Sequence, residues 1–291
     1  MLRLLATAVT AALLAAAPAL ADTSATLDKI SGSGEILLGY RDAAPPFSSV
    51  DAATGTPVGY SIDLCLKIAD AVRAKLGRPD ITVKYVPVTA ENRFQKVVDG
   101  SVDLECGTST ITLSRQETVD FTNMIFITGG ALLVPAKATT KGMADLVGKK
   151  IGVVSGTTTE AELKAGKDAG ILNIKIESFG DYNEALKGLE KGKIEAIAGD
   201  QLILIGLARG SADPGKFALA TELFSYEPYG IALRRNDADF RLVANRVLAD
   251  LYRTGNIQAI YQKWFGDWGG RPSALLVAMF ALNGIPEGTP E

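Results

Sequence analysis

Short apolar strands alternate with amphipathic helices along this chain of 291 residues, and the alternation starts again near residue 150. The first round predicts a strand at Glu35–Tyr40, a helix at Tyr60–Leu76 and a strand at residues 81–86. The second round predicts a strand at Lys150–Val154 and a helix from Thr158. Strands separated by helices favour parallel or mixed sheets with helices packed on their faces, so the predicted fold class is α/β.

The restart of the pattern predicts two lobes. Residues 22–291 are more than one hydrophobic core usually holds, and residues 99–107 can be laid over residues 191–199 as a weak internal repeat. A strand near residues 229–234 and two helices after it have no partner of their own, so we expect them to complete the first lobe. The predicted lobes are residues 22–128 with 227–291, and residues 129–226. Two connections between lobes make a hinge.

The first 21 residues are typical of a secretory signal peptide. Arg3 precedes a run rich in alanine and leucine that ends in Ala19-Leu-Ala21, before Asp22. A positive charge, a short apolar run and an A-x-A cleavage site are the three parts of such a signal. The alternative, a membrane anchor, needs a longer apolar run with flanking charges. No cysteine lies at the cleavage site, which argues against a lipid-anchored form.

Composition excludes several classes of function. The chain has no histidine, so histidine bases, Ser-His-Asp triads and histidine-ligated metals are excluded. The formal net charge is −3 with acids and bases interspersed, which is unlike a nucleic-acid-binding surface. Cys65 and Cys106 are too few for a structural zinc site, and either a disulfide or two buried thiols fits the sequence. We expect no cofactor and no metal.

The sharpest motif is SGTTTE at residues 155–160, between a predicted strand and a predicted helix. Thr157 and Glu160 have the spacing of a capping box, and the free backbone N–H groups of a helix start attract a carboxylate. An ordinary helix cap is the alternative interpretation of the same residues.

A second set of polar residues lies in the predicted first lobe, where a predicted strand at residues 102–106 is followed by a GTST turn at residues 107–110 and then by Arg115. A guanidinium suits the carboxylate of an α-amino acid, and hydroxyl and carboxylate oxygens suit its ammonium. Asp200, at the end of a small apolar strand, is a natural partner for that ammonium, or it caps the helix that begins at Gln201. Taken alone, Arg115 is more often a surface salt-bridge residue.

An ordered set of motifs resembles the periplasmic amino-acid-binding proteins of ABC importers (solute-binding protein family 3), and most closely their glutamate/aspartate-binding branch. The motifs are Gly39-Tyr-Arg41, Pro46-Phe47, Val58-Gly-Tyr60, Asn92-Arg93, Glu105-Cys-Gly-Thr108, Arg115-Gln116, Phe121, Ser155-Gly-Thr-Thr158 and Tyr229-Gly230. They are spread over nearly the whole chain after the signal peptide, and the ordered set is far more specific than any single motif.

The resemblance implies a two-lobed periplasmic-binding-protein fold of type II that closes on an amino acid and delivers it to an inner-membrane permease. It implies a monomer in the periplasm, with no catalytic residues. Carried over by position, the ligand-binding residues are Arg41, Arg93, Thr108, Thr110, Arg115, Ser155, Thr157, Thr158 and Asp200. In this comparison Arg115, Thr110 and the Thr158 region would hold the α-carboxylate. Thr108 and Asp200 would receive the α-ammonium.

By the same comparison, Arg41 and Arg93 would bind the side-chain carboxylate of the ligand. The chain departs from the branch at two pocket-wall positions, with Phe179 in place of a histidine and Ala90 in place of a serine. Phe47 is expected as a third pocket wall. Each lost hydrogen bond to a charged group could cost on the order of 1.5–3 kcal/mol, enough to weaken or shift the preference between glutamate, aspartate and their amides. Two cations facing one cleft nevertheless favour an anionic ligand, because burying unpaired charge is expensive. We therefore expect glutamate or aspartate, with glutamine or asparagine as the alternative.

Two other functions, an enzyme and a chemosensory receptor, are compatible with this fold. A cyclohexadienyl-dehydratase-like enzyme would need a general acid in the cleft, and the candidates Glu91, Glu105 and Asp200 are better explained as structural residues or ammonium partners. A chemosensory receptor would share the binding chemistry and differ only in its partner.

Overall fold

The computed structural model describes residues 24–268 and 270–288. The predicted signal peptide lies outside the described residues. The helices are α1 (Ala25–Ser33), α2 (Tyr60–Leu76), α3 (Arg93–Val98), α4 (Thr158–Asp168), α5 (Tyr182–Glu190), α6 (Gln201–Arg209), α7 (Ala238–Thr254), α8 (Ile257–Phe265) and α9 (Ala274–Asn283). Among the described residues, none of these helices has the length and apolar character needed to cross a membrane.

The strands form two large sheets and one small sheet. They are β1 (Glu35–Tyr40), β2 (Ala43–Ala44), β3 (Ser48–Val50), β4 (Pro57–Val58), β5 (Thr82–Pro87), β6 (Leu104–Thr110), β7 (Val119–Phe121), β8 (Phe126–Thr128), β9 (Gly130–Pro135), β10 (Lys150–Val154), β11 (Lys175–Phe179), β12 (Ala196–Asp200), β13 (Phe217–Leu219) and β14 (Glu227–Arg234). The small sheet is antiparallel and has the order β2-β3-β4.

The first large sheet has the order β5-β1-β6-β14-β7, and β8 also pairs with β14. Strand β1 runs parallel to β5 and β6, whereas β14 runs antiparallel to β6. Helix α2 packs against β6 and α7, and their buried apolar residues belong to the main core. Because β14 and α7 come late in the chain, the C-terminal part returns to complete the first lobe.

The second large sheet has the order β11-β10-β12-β9-β13. Strand β10 runs parallel to β11 and β12, and β9 runs antiparallel to β12 and β13. The two large mixed sheets confirm the predicted two-lobed α/β class. The residue boundaries assigned to the lobes stay a prediction.

The chain passes between the two sheets at two adjacent places. Strand β8 leads into β9 at Gly129, and the return path runs through Ser225 into β14. These paths are joined, because Thr128 is the register partner of Glu227 and the Gly130 N–H donates to Ser225 Oγ at 3.0 Å. Two neighbouring crossings of this kind form a hinge.

Cys65 in α2 and Cys106 in β6 form a disulfide, with their Cα atoms 6.2 Å apart. Both side chains are fully buried. The bond settles the alternative that the sequence left open, and it ties a core helix to the central strand of the first sheet.

Strand β6 is longer than predicted. The strand was expected to end at Cys106 before a GTST turn, but it continues to Thr110, and all seven of its residues are buried. Thr110 is the register partner of Tyr229 on β14. Pairing with that distant strand overrides the turn preference of glycine and threonine, since strand propensity depends strongly on context.

Candidate functional site

The predicted binding residues meet in a cleft between the two sheets. Arg41 directly follows β1, and Asp200 is the last residue of β12. The hydroxyl residues of β6 lie at its carboxyl end, and the SGTTTE motif follows β10. In open α/β sheets the crevice at the carboxyl ends of the strands is the usual binding site for a ligand. The fold therefore collects polar side chains from both lobes at one place.

The SGTTTE motif caps α4 in a way that differs from the predicted capping box. Thr157 Oγ1 accepts from the Glu160 N–H at 3.1 Å, as expected. Glu160 Oε2, however, accepts from the Gly156 N–H at 2.9 Å and not from the Thr157 N–H, which donates to the Val154 carbonyl at 3.4 Å. The Thr157 hydroxyl also donates to the Val154 carbonyl at 2.7 Å, and the Ser155 N–H donates to the Phe179 carbonyl at 2.9 Å. Thr157 thus orders the turn locally through its own side chain.

Arg115 lies in the cleft and forms no salt bridge with any residue that the structure describes. Its Nη1 donates to the Thr110 carbonyl at 2.8 Å, and its Nη2 makes a long contact of 3.5 Å to the Gly156 carbonyl. The guanidinium also stacks on the Phe94 ring, 5.0 Å from the centroid. Since Gly156 belongs to the second lobe, Arg115 reaches across the cleft.

Arg93 is 2% exposed and is fixed by protein acceptors. Its Nε donates to Ser109 Oγ at 2.8 Å, its Nη1 donates to the Ala90 carbonyl, and its Nη2 contacts the Gly156 carbonyl at 3.4 Å. Burial, followed by the charges of Arg115 and Arg41, lowers the pKa of Arg93 to about 9. The group remains a cation at neutral pH.

Arg41 is 4% exposed, and its guanidinium makes no hydrogen bond or ion pair with the described part of the chain. Only its backbone N–H is engaged, with Ser48 Oγ at 2.8 Å. The residue lines a cavity of about 190 Å³ that also touches Thr89 of the first lobe and Asp181 of the second. A nearly buried guanidinium without a protein acceptor favours an anionic partner.

Asp200 is buried at the N-cap position of α6, but its side chain makes no cap hydrogen bond. Its Oδ2 instead accepts from the hydroxyl of Tyr229, which belongs to the other sheet. Burial, followed by the charge of Glu227, raises the pKa of Asp200 to about 7. Of the two predicted roles, capping is absent, and the carboxylate is available at the lobe interface.

The three predicted pocket walls have different positions. Ala90 is buried at the cleft, where its carbonyl accepts from Arg93. The Phe179 ring lies over Gly152 and Gly188 inside the second lobe. Phe47 is fully buried at the centre of an aromatic cluster, with its ring 4.9 Å from that of Phe126.

Tyr182, which the sequence analysis did not select, is the aromatic residue beside Asp200. Its hydroxyl approaches Gly199, the residue before Asp200. Burial, followed by the Asp200 charge, raises the pKa of Tyr182, and Arg41 partly opposes this shift. Tyr182 is the first residue of α5, three positions after Phe179. Phe179 ends β11 and Tyr182 begins α5, so the turn of the chain between these elements decides which ring lies beside Asp200.

Two buried glutamates also belong to the site: Glu105, which the sequence offered as a structural residue or ammonium partner, and Glu227, which was not predicted. Glu105 Oε2 accepts from Ser109 Oγ at 2.7 Å, which links Glu105 to Arg93, while Oε1 has no hydrogen-bond partner in the described chain. Glu227 is fully buried and connects both lobes through hydroxyl groups, as described below. Among the described residues, Arg41, Arg93 and Arg115 therefore lie near the carboxylates of Glu105, Asp200 and Glu227. No pattern in the sequence distinguishes Glu227 from a surface residue.

Gly156 was selected as part of a motif, but its role at the interface was not predicted. Its φ is +77°, and a Cβ built on it would lie 2.7 Å from the Ala90 carbonyl oxygen and 2.8 Å from Glu91 Cα. The backbones of the two lobes therefore touch at this position, which only glycine permits.

Comparison with known proteins identifies the family. The family model described as bacterial extracellular solute-binding proteins, family 3, matches residues 36–267. An L-glutamate/L-aspartate-binding protein of Pseudomonas aeruginosa is 38% identical over 262 residues, which cover 90% of this chain and 87% of that protein. A glutamate/aspartate import solute-binding protein of Escherichia coli is 35% identical over 269 residues, covering 91% and 89%.

Solved structures show the same fold. A mutant of ArgBP from T. maritima matches with a TM-score of 0.74 and 28% identity, covering 83% of this chain and 99% of that one. An ancestral arginine-binding protein bound to glutamine matches with a TM-score of 0.71 and 31% identity, covering 80% and 98%.

Proposed function

Because this chain belongs to the bacterial extracellular solute-binding proteins of family 3, we propose that it captures glutamate or aspartate in its interlobe cleft and delivers the amino acid to an ABC-importer permease. The two relatives that bind glutamate and aspartate support this ligand class. The predicted signal peptide would place the receptor in the periplasm, where we expect it to act as a monomer.

The observation that supports an acidic ligand is the lack of a hydrogen-bond acceptor for the Arg41 guanidinium among the described residues. This side chain is nearly buried and has no acceptor among the described residues, while the neighbouring Arg93 already uses the Ser109 and Ala90 oxygens. A ligand with a second carboxylate supplies the missing anion at Arg41. A neutral amide would leave a buried charge without its counter-charge, which is costly.

The amino-acid backbone has complementary partners in the same cleft. Arg115 is placed for the α-carboxylate beside the start of α4, where backbone N–H groups favour an anion. Asp200 is placed for the α-ammonium. Both groups of a zwitterion are thus matched by a charge of opposite sign.

Closure follows from contacts that each lobe supplies in part. The ligand would touch Arg41 and Arg115 of the first lobe and Asp200 of the second, so it binds the closed form more tightly than the open one. The permease then has a closed form to recognise. The buried carboxylates fit ammonium binding and charge balance, so the function is binding without chemistry.

Isothermal calorimetry on Arg41→Met tests the assignment. Ligand would first be stripped by unfolding and refolding, and wild type and variant would be titrated with glutamate, aspartate, glutamine and asparagine. We expect wild type to prefer an acid, and the variant to lose about 100-fold in glutamate affinity while glutamine changes little, since a charge-assisted pair is lost. An equal loss for glutamate and glutamine would contradict the role of Arg41.

A further inference from the structure

Glu227, the first residue of β14, is a fully buried carboxylate that accepts three hydroxyl hydrogen bonds. Thr110 Oγ1 donates to its Oε2 at 2.5 Å, and Thr158 Oγ1 donates to the same oxygen at 2.9 Å. Ser225 Oγ donates to its Oε1 at 2.6 Å. Thr110 belongs to the first lobe and Thr158 to the second, so one carboxylate oxygen joins the two lobes.

These bonds decide what the two threonines can offer a ligand. A hydroxyl has a single O–H donor and two acceptor lone pairs. Both threonines direct that donor to an oxygen that can only accept, because an ionised carboxylate has no proton to give. The two hydroxyl oxygens therefore remain available to the cleft only as acceptors.

We infer that Glu227 is a positioning residue that turns the Thr110 and Thr158 hydroxyls into acceptors for the ligand's α-ammonium, and so selects amino acids over dicarboxylates that lack the amino group. This inference rests on the proposed function and refines it. It also changes the assignment that the family resemblance implied, since the two hydroxyls would not donate to the α-carboxylate. That group is left to Arg115 and to the backbone N–H groups at the start of α4.

Charge in the cleft supports the same ligand group. Glu227 lies close enough to Asp200 for its charge to raise the pKa of Asp200, second only to the effect of burial. Two neighbouring buried carboxylates disfavour each other and favour a cation between them. An α-ammonium relieves this repulsion, whereas a dicarboxylate such as glutarate adds to it. Arg115 faces both glutamates and cannot make this distinction, because each ligand presents it with a carboxylate.

The variant Glu227→Gln reverses the hydrogen-bond direction with almost no change in shape. Its amide oxygen can still accept from Ser225, and its two N–H groups can donate to the Thr110 and Thr158 oxygens. The threonine O–H groups are then free to donate into the cleft. Calorimetry would compare glutamate with glutarate, which is the same dicarboxylate without the amino group. We expect glutamate affinity to fall about 30-fold and glutarate affinity to stay or rise.

The matched control is Ser225→Ala, which removes the third hydrogen bond of Glu227 and keeps both threonine donors in place. It should lower stability without changing the ratio of glutamate to glutarate affinity. Should Glu227→Gln fail to fold, Thr158→Val removes one of the acceptors directly and should weaken glutamate more than glutarate.

The inference is overturned if folded Glu227→Gln keeps the wild-type ratio of glutamate to glutarate affinity, whether both affinities fall equally or neither changes. Either result would mean that Glu227 has a purely structural role. If wild type binds a different amino acid, only the proposed acidic ligand is wrong and the inference about Glu227 still stands. The affinity ratio is then measured between that amino acid and the same molecule without its amino group. Wild type that binds no amino acid at all overturns both proposals.

Discussion

Replacing Gly156 with alanine separates backbone strain from lobe closure. The residue has a φ of +77°, and an alanine in this left-handed region costs roughly 1–2 kcal/mol. The added Cβ would also lie 2.7 Å from the Ala90 carbonyl oxygen and 2.8 Å from Glu91 Cα. Both neighbours are backbone atoms of the first lobe, so neither can rotate away.

The two costs act on different equilibria. The backbone strain is present in the open and the closed protein, so it lowers the free energy of unfolding without affecting ligand binding. The overlap with residues 90 and 91 exists only when the lobes meet. Overpacking of this kind typically costs about 1–3 kcal/mol. We therefore expect a Kd for glutamate that is roughly 5- to 150-fold weaker than that of wild type.

Urea unfolding of the ligand-free protein and calorimetric titration with glutamate would measure the two effects. The control is Gly170→Ala, because Gly170 has a φ of +73° and a Cβ there would have no atom within 4 Å. Gly170→Ala should lose similar stability and keep its Kd. The reasoning is refuted if both variants change Kd equally, or if Gly156→Ala binds glutamate as wild type does.

Three other predictions concern Asp200 and the disulfide. Since Asp200 has a pKa raised to about 7 and must be ionised to bind an ammonium, glutamate affinity should be about tenfold weaker at pH 6 than at pH 8, and Asp200→Asn should abolish this dependence in calorimetry. In the ligand-free protein the raised pKa of Asp200 contributes stability that is present at low pH and is lost as the pH rises through about 7. Urea unfolding between pH 5 and pH 8 should therefore show a falling free energy of unfolding. The variant Asp200→Asn should not show this pH dependence. Replacing Cys65 and Cys106 with alanine should lower the free energy of unfolding by about 4 kcal/mol, because the bond closes a loop with a sequence separation of 41; an unchanged urea midpoint would contradict this value.

Hydrophobic periodicity was sufficient to predict the elements that face a single core. The strand at Glu35–Tyr40 and the helix at Tyr60–Leu76 have the predicted bounds, because their apolar spacing is unambiguous. Strand β6 was predicted too short, because its glycine and threonines favour a turn until β14 pairs with them. Local preference could not anticipate a partner that lies more than a hundred residues away.

The site was predictable where a residue's own chemistry and its position at a strand end agree. Arg41 and Asp200 are of this kind, and both lie at the cleft. Glu227 was missed, because its importance depends on hydroxyl groups from two other segments that meet only in the folded chain. The choice between Phe179 and Tyr182 depends on which face of the chain turns toward Asp200, and spacing alone does not determine that.

A crystal structure of the refolded protein with glutamate tests the central claim most directly. The account predicts closed lobes, with the side-chain carboxylate on Arg41 and Arg93 at about 2.7–2.9 Å, and with the ammonium on Asp200 and the two threonine hydroxyl oxygens. Glutamate bound in the opposite orientation, with its ammonium away from Asp200, would contradict the account. A complex in which Arg41 remains without an anionic partner would contradict it as well.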